Sequence, residues 1–418
     1  MLDAKDYLTN QEWNVTRLGL SRIKELLELM GNPHEKLKYI HVAGTNGKGS
    51  TCAMLVSILE ACGYQTGLFT TPHISRFNEQ IQINGDEITD EELSLHTQKV
   101  KAFANIMPDH PTEFEMTTAI AIEYFLSSGC DIVVMETGMG GRLDATNIIP
   151  LPEIAVITPI SLDHTKELGE TIEKIAFEKA GIIKNGGRVV CAPQEKEVAK
   201  LLLSVCKERQ TQITFVNDEE IMVHKNDLDG QLFDFNGYDS IYLPLLGDYQ
   251  RTNAATAVSA VIWLRDCGWR IEDKAIYEGL ANVKWPARFQ VLKHEPVFIL
   301  DGGHNPHCVD SLVRNLEYYF PKEKIVFIMG VLADKDYKTM IRKIIPHAKR
   351  VFTVTANNKR ALDSESLAKY FRRLGLEAVA CDNIAEGVKN AMDAAGEGGV
   401  VCAFGSLYIA AQINVFFL

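Results

Sequence analysis

Directly behind the apolar stretch Tyr39-Ile40-His41-Val42-Ala43 the chain runs Gly44-Thr45-Asn46-Gly47-Lys48-Gly49-Ser50, and no other feature restricts its architecture as much. A strand that ends in a glycine-rich turn and opens into a helix is a phosphate cradle. Glycines let backbone N–H groups curl round an anion, and the helix N-terminus adds the positive end of its dipole. Lys48 is placed to reach the outer phosphates, and a hydroxyl from Ser50 or Thr51 to meet a magnesium ion. The common template G-x-x-x-x-G-K-[ST] is met imperfectly: Val42 stands where its first glycine belongs, and Gly49 follows the lysine. A glycine turn without ligand is the plainer reading. A lysine inside it, after a strand and before an apolar helix, favours nucleotide binding.

The cradle opens an alternation of short strands and helices. Residues 17–30 carry a helical stripe closed by Gly31-Asn32-Pro33. Strands are expected at 39–43, 66–70, 131–135, 154–158 and 188–192, with helices at 53–61 and 120–126. That rhythm predicts a doubly wound parallel α/β sheet. Residues 213–243, with turns at Asp229-Gly230 and Asn236-Gly237, predict a small antiparallel excursion. After Val283-Lys284-Trp285-Pro286-Ala287-Arg288 a second series begins, with strands at 297–301, 324–330, 350–355, 376–381 and 399–404. Helices are expected at 307–319, 336–345, 364–373, 384–395 and 407–416. A chain of 418 residues is too long for one ordinary core. The expected domains are 1–286 and 287–418.

Composition sets the class of partner. Apolar content of 46% with 23% charged residues belongs to a folded, soluble protein. A net charge of −12 argues against a general nucleic-acid or anionic-membrane binder, so any anionic ligand needs locally concentrated cations. Nine cysteines without C-x-x-C pairs suit buried thiols in a reducing compartment. The N-terminal stretch MLDAKDYLTN shows no basic-plus-apolar leader, and no run approaches a membrane span. A cytoplasmic location is expected.

Ligands of open α/β sheets gather at the carboxyl ends of strands. The polar residues just past each expected strand end are Lys48, Thr71, His73, Glu136, Asp163, His164, Asp301, His304 and Ser406. An acid at the tip of a buried strand beside a phosphate loop can hold magnesium, and Glu136 fits that role; capping the following glycine turn is its alternative. His164 is more ambiguous, because magnesium prefers oxygen ligands. In Asp301-Gly302-Gly303-His304-Asn305-Pro306 the acid and imidazole can bind an amine or orient a phosphate, or the turn can simply cap its helix. Gly405-Ser406 repeats that geometry. Asp334-Lys335-Asp336 reads as a solvated charge run. Arg288, next to the expected boundary, can serve a nucleotide phosphate or a salt bridge. No Gly-x-Ser-x-Gly elbow is present, and covalent catalysis by Ser or Cys is not expected.

The ordered motifs GTNGKGS (44–50), FTTPHISRFNE (69–79), ETGMGGRLDATN (136–147), SLDHTKELG (161–169), FEKAGIIK (177–184), GDYQRTNAATA (247–257), WPARFQ (285–290), DGGHNP (301–306) and GSLYIAA (405–411) span nearly the whole chain. In that order the chain resembles the folylpolyglutamate synthase family of the Mur-ligase superfamily, which includes bifunctional dihydrofolate synthases. The peptidoglycan Mur ligases carry a large UDP-sugar-binding domain before their phosphate loop. Here only about forty residues precede Gly44, which disfavours a UDP-linked substrate.

The resemblance implies a P-loop-type ATPase domain followed by a smaller Rossmann-like domain. It implies an ATP- and Mg2+-dependent ligase acting through an acyl phosphate on a folate or dihydropteroate with L-glutamate, as a monomer. By similarity, Gly44, Thr45, Asn46, Gly47, Lys48, Gly49, Ser50, Asn253, Arg288 and Asp301 meet the nucleotide. Ser50, Thr71, Glu136 and His164 match metal ligands, and Lys179 matches a lysine carbamylated to hold a second metal. Lys48, Lys179, Asp301 and His304 match the catalytic set, with His304, Ser406 and Thr71 toward substrate. Thr71 stands where the family often has serine, and Gly303 where alanine is frequent. Another phosphate-loop enzyme, such as a small-molecule kinase, is the competing expectation, and a nucleotide-binding regulator without turnover is a third.

Overall fold

The computed structural model describes residues 4–8 and 16–417, so the reading of the first ten residues as free of a leader lies partly outside the described residues. The chain packs as two units. One takes residues up to Met222 together with Phe233–Tyr242 and Arg251–Val283; the other takes Val223–Leu232, Leu243–Gln250 and everything from Lys284 onward.

The first unit is built on an eight-stranded sheet. Its strands are β1 (Tyr39–Ala43), β2 (Thr66–Phe69), β3 (Ile81–Ile83), β4 (Asp86–Glu87), β5 (Ile132–Glu136), β6 (Ile154–Ile157), β7 (Arg188–Cys191) and β8 (Gln212–Phe215), in the order β4-β3-β2-β5-β1-β6-β7-β8. All neighbours from β2 to β8 run parallel, and only β3 and β4 turn antiparallel at one edge. Strands β1, β2, β5 and β6 are buried at every position, as befits a parallel sheet covered on both faces. One face packs Tyr39, Phe69, Val133 and Met135 against the helices Ser21–Leu29, Asp90–Ala104 and Glu113–Ser127. Further along the sheet, Ala43, Ala155, Ile157 and Val189 meet the helices Ile172–Lys179 and Lys196–Glu208.

The helix Glu113–Ser127 starts where its chemistry tells it to. Thr112 accepts from the Glu115 amide, and Glu115 reaches back to the Thr112 amide, a capping box that satisfies two otherwise orphaned donors. The same carboxylate accepts from Arg22 Nε at 2.9 Å, and both side chains are almost completely buried. Arg22 also donates to the Arg17 carbonyl, and Gly19 N to Leu143 O. The segment before the first long helix is thereby tied to the two loops it crosses.

The second unit carries a six-stranded sheet. After a small sheet of β9 (Met222–Asp227), β10 (Gly230–Phe235) and β11 (Tyr238–Leu243) come β12 (Gln290–His294), β13 (Val297–Leu300), β14 (Ile325–Met329), β15 (Ala348–Thr353), β16 (Ala378–Ala380) and β17 (Val400–Phe404). The last six run β12-β13-β17-β14-β15-β16, parallel except for β12. The last strand in sequence thus lies between the second and third, a switch point that leaves a crevice at the carboxyl ends.

Three expectations need correction. Gln212–Phe215 is not part of the small excursion: it pairs in parallel with β7 as the last strand of the large sheet. The helix after the phosphate loop begins at Lys48, five residues before the expected Ala53. Strand β12, an antiparallel edge with a bulge between Val291 and Lys293, was not expected, because its two outer residues are exposed and break the apolar run. The turn at Asn236-Gly237 holds, with φ of 51° and 80°, both left-handed as a type I′ turn needs.

Breaking a buried ion pair from one side leaves the other charge stranded. Arg22→Met should therefore cost about 3 kcal/mol of unfolding free energy, read from urea denaturation. A loss under about 1 kcal/mol would show that the pair adds little beyond an exposed one.

Candidate active site

Register brings the first cluster together. Val42 pairs with Glu136 on β5 and with Val156 on β6, and Phe69 pairs with Met135, so four strands end almost level. Gly44 leaves β1 with φ 153°, and a Cβ there would fall 1.8 Å from the Thr158 hydroxyl. Only glycine fits. The amides of Thr45 and Asn46 donate to Pro159 O at 2.9 and 3.2 Å. The Thr45 hydroxyl donates to Ser161 O and accepts from Ser161 N. Gly47 adopts φ 84° at the head of the helix Lys48–Ala61, which has no side-chain cap. An anion could meet the positive end of its dipole there. A Cβ at Gly47 would lie 2.5 Å from Asn253 Oδ1, which puts Asn253 against the loop.

Around this loop stand buried ionisable groups. Glu136, 3% exposed, accepts from the Thr70 hydroxyl and from the Thr71 amide at 3.4 Å. Its other oxygen is 3.8 Å from Lys48 Nζ. Lys48 also reaches Thr45 O at 3.4 Å, and Ser50 is buried behind it. Lys179, 5% exposed, donates to Gly44 O at 2.7 Å. Burial, and then the Lys48 charge, bring its amine down to about 7, against the opposing pull of Asp163 and Asp144. His164 sits exposed at φ 48° on the same loop as Asp163, its amide donating to the Asp163 carboxylate. The cluster thus holds the 44–50 loop, Glu136, Lys179 and Asn253 together. Thr71 joins it through its backbone and His164 through its neighbour.

A second line of polar groups runs under the loop after Glu136. Asp144 accepts from Met139 N at 2.8 Å, from Thr146 N at 3.0 Å and from the Thr146 hydroxyl at 2.5 Å. Having spent its proton there, Thr146 must accept from His41 Nε2 at 2.9 Å. His41 is therefore the neutral Nε2–H tautomer with Nδ1 unpartnered, and burial holds it down to about 3.

In the second unit, Asp301 follows β13, 5% exposed. It accepts from Phe289 N at 2.9 Å and Gly303 N at 2.7 Å. Burial raises its carboxyl while the Arg288 guanidinium opposes that shift. Arg288 lies between two left-handed residues, Ala287 (φ 57°) and Phe289 (φ 45°). Such strain persists only where surrounding bonds enforce it. Gly302 N donates to Ala287 O, and Gly405 N to Gly303 O, which joins the turn to the end of β17. His304 Nδ1 lies 3.1 Å from Gly302 O. Asn305 caps the helix Pro306–Tyr319, and Ser406 caps Leu407–Asn414 by accepting from Tyr408 N at 3.1 Å. Both capping alternatives are thus present beside the ligand reading. Asp336 likewise caps the helix Tyr337–Ile344.

Several neighbours escaped sequence reasoning. Thr70, one residue before the chosen Thr71, supplies the hydroxyl on Glu136. Phe114 places its ring where a Cβ on Gly138 would come within 2.6 Å, and 5.8 Å from Phe69. Beside it the half-buried Glu113 carboxyl is raised by burial. The Thr112-x-x-Glu115 capping box was the available signal for that helix end. Among the described residues no group of three or more His, Cys, Asp or Glu forms a metal cage. One carboxylate and hydroxyls beside a phosphate loop do fit magnesium, which takes few protein oxygens and completes its shell with phosphate and water.

Comparison with known proteins matches residues 42–261 to the Mur ligase middle domain and residues 287–407 to the Mur ligase glutamate ligase domain. A dihydrofolate synthase/folylpolyglutamate synthase from Bacillus subtilis is 37% identical over 83% of this chain and 83% of its own. A folylpolyglutamate synthase from Mycobacterium tuberculosis, solved with ADP and AMPPCP, superposes with TM-score 0.90 at 30% identity over 99% of both chains. E. coli FolC, solved with DHPP and ADP, gives TM-score 0.87 at 29% identity over 98% of this chain and 96% of that one.

Lys179 also dictates a pH dependence. Its folded value of about 7 lies below the ordinary 10.5, so between those values the unfolded chain binds the extra proton. Stability therefore rises with pH across that window. In CO2-free buffer the urea midpoint of the wild type should gain on that of Lys179→Met between pH 7 and 9.5. Lys184, lowered to about 8 by burial, acts in the same direction in both proteins and cancels. Parallel curves would refute the assignment.

Proposed function

From its membership of the folylpolyglutamate synthase family of the Mur ligases, we infer that this chain is an ATP- and magnesium-dependent ligase that adds L-glutamate to folates. The convergence of the 44–50 loop, Lys48, Glu136 and Lys179 at the carboxyl ends of the central strands β1 and β5 carries that reading.

A substrate carboxylate is a poor electrophile until one oxygen becomes a good leaving group. Its oxygen attacks the γ-phosphorus of ATP, the bond to ADP breaks, and an acyl phosphate results. The amine of glutamate then attacks the acyl carbon, sheds a proton and expels phosphate. Positioning and charge neutralisation do most of the work. The head of the helix Lys48–Ala61, which carries no side-chain cap, and the Lys48 ammonium receive the phosphates. Glu136, with Ser50 and the Thr70–Thr71 hydroxyls, would hold magnesium, which supplies further neutralisation of phosphate charge.

The Lys179 amine, about half of it unprotonated near pH 7, is nucleophilic enough to take up CO2 with loss of a proton, and the resulting carbamate would hold a second ion beside His164. Asn253 lies against the loop for the nucleotide. Arg288, Asp301, His304 and Ser406 serve nucleotide and glutamate at the second crevice. The half-buried Phe114 ring over Gly138, with Thr71, suits the flat ring of a folate or dihydropteroate, and both substrates are assigned to this site. The nine free cysteines support a reducing, cytoplasmic setting, where the protein acts as a monomer with domains 1–286 and 287–418.

Incubation with ATP, magnesium, glutamate and either tetrahydrofolate or dihydropteroate tests this by product mass. The expected outcome is ADP, phosphate and a product heavier by one glutamyl residue, formed only with both substrates. A stable phosphorylated product would indicate a kinase, and AMP with pyrophosphate a different activation. Lys48→Ala should lower turnover by about a thousand-fold while its far-ultraviolet circular dichroism stays that of the folded wild type.

A further inference from the structure

We propose that Gln194 is a positioning residue of this ligase: its side-chain amide holds the Thr158–Ser161 loop, and through it the 44–50 loop that receives the nucleotide. The inference rests on the reading of that loop as the phosphate site.

The need arises where the ladder between β6 and β7 stops. Ile157 pairs with Cys191, and Ala192 N donates to Ile157 O at 2.8 Å as its last rung. Continued by two residues, the same register would set Pro159 beside Pro193, and a proline has no N–H to give a ladder. The two segments therefore run out of backbone rungs where the phosphate loop leans on one of them.

Gln194 supplies a further rung from its side chain. Its Oε1 accepts from Ile160 N at 3.0 Å, and its Nε2 donates to Thr158 O at 3.1 Å. Only one orientation of the amide satisfies both, since a carbonyl needs a donor and an N–H an acceptor. Nε2 also lies 3.6 Å from Cys191 Sγ, at the end of β7. The gripped residues, Thr158 and Ile160, are buried and flank Pro159, which is thereby held from both sides. The Pro159 carbonyl is the one that takes the amides of Thr45 and Asn46. Beyond it, Ser161 exchanges two bonds with the Thr45 hydroxyl, and its own hydroxyl accepts from Asn46 Nδ2 at 3.3 Å. These bonds to the phosphate loop come from a segment that Gln194 anchors.

Gln194→Met keeps the length of the side chain and removes both bonds. The Pro159 carbonyl then no longer fixes the two amides, and affinity for a triphosphate should drop. A neutral hydrogen bond is worth roughly five-fold, so the Kd for AMPPCP with magnesium, read by titration calorimetry, should rise about ten-fold. KM for ATP should rise by a similar factor, while KM for glutamate stays within about two-fold. A merely structural role would lower the urea midpoint without that split between the two KM values. Gln194→Glu is the second variant. It keeps an oxygen for the Ile160 amide but sets the other against the Thr158 carbonyl, so AMPPCP affinity should fall at least as far.

Unchanged AMPPCP affinity in either variant, or a loss of kcat with every KM unmoved, would overturn the proposal. So would failure of both variants to fold, which would make Gln194 a stability element. If the wild type itself binds no AMPPCP with magnesium, the phosphate-site reading fails instead.

Discussion

The register of β1 between β5 and β6 is the constraint on which the catalytic arrangement rests. Because Val42 pairs with both Glu136 and Val156, the phosphate loop, the acid of β5 and the Pro159–Ser161 loop emerge side by side. A parallel slip of a single residue would turn each strand over, burying Glu136 in the apolar layer occupied by Met135 and its neighbours. The hydrophobic core and the position of Glu136 are thus set by the same pairing.

Much of this was readable in advance where a residue type is demanded by local geometry. Glycines at 44 and 47, the Asn-Gly turn at 236–237 and the second series of strands belong to that class. What escaped depends on partners distant in the chain. Lys179 closes an ordinary-looking helix, and nothing nearby in sequence says that its amine meets the Gly44 carbonyl. Thr70 and Thr71 are adjacent hydroxyls at a strand end, and only the strand's pleat decides which faces Glu136. Asp301 was visible as a strand-end acid, but one of its two backbone donors comes from residue 289, across the turn into β12 and β13. The edge strands β8 and β12 were misread because half-exposed strands lack the continuous apolar signature of their buried neighbours.

The two units handle buried charge by similar means. Glu136 and Asp301 are carboxylates drawn out of water and then supplied with donors from backbone and hydroxyl groups, with a cation close by. Partial satisfaction of this kind leaves coordination capacity for a ligand at some expense in stability. The His41–Thr146–Asp144 chain is the opposite arrangement: a neutral imidazole and a saturated carboxylate, with little left to offer. The first arrangement leaves room for a ligand, and the second braces the loop it stands on.

The close approach of Thr158 to Gly44 has a historical consequence. The threonine hydroxyl occupies the volume that any side chain at 44 would need. A smaller residue at 158 would not free position 44, because its backbone, at φ 153°, is one that strains any side chain whatever the space, and loss of the threonine alone would leave a void beside the loop. Lineages of this enzyme should therefore keep glycine at 44 even where 158 varies.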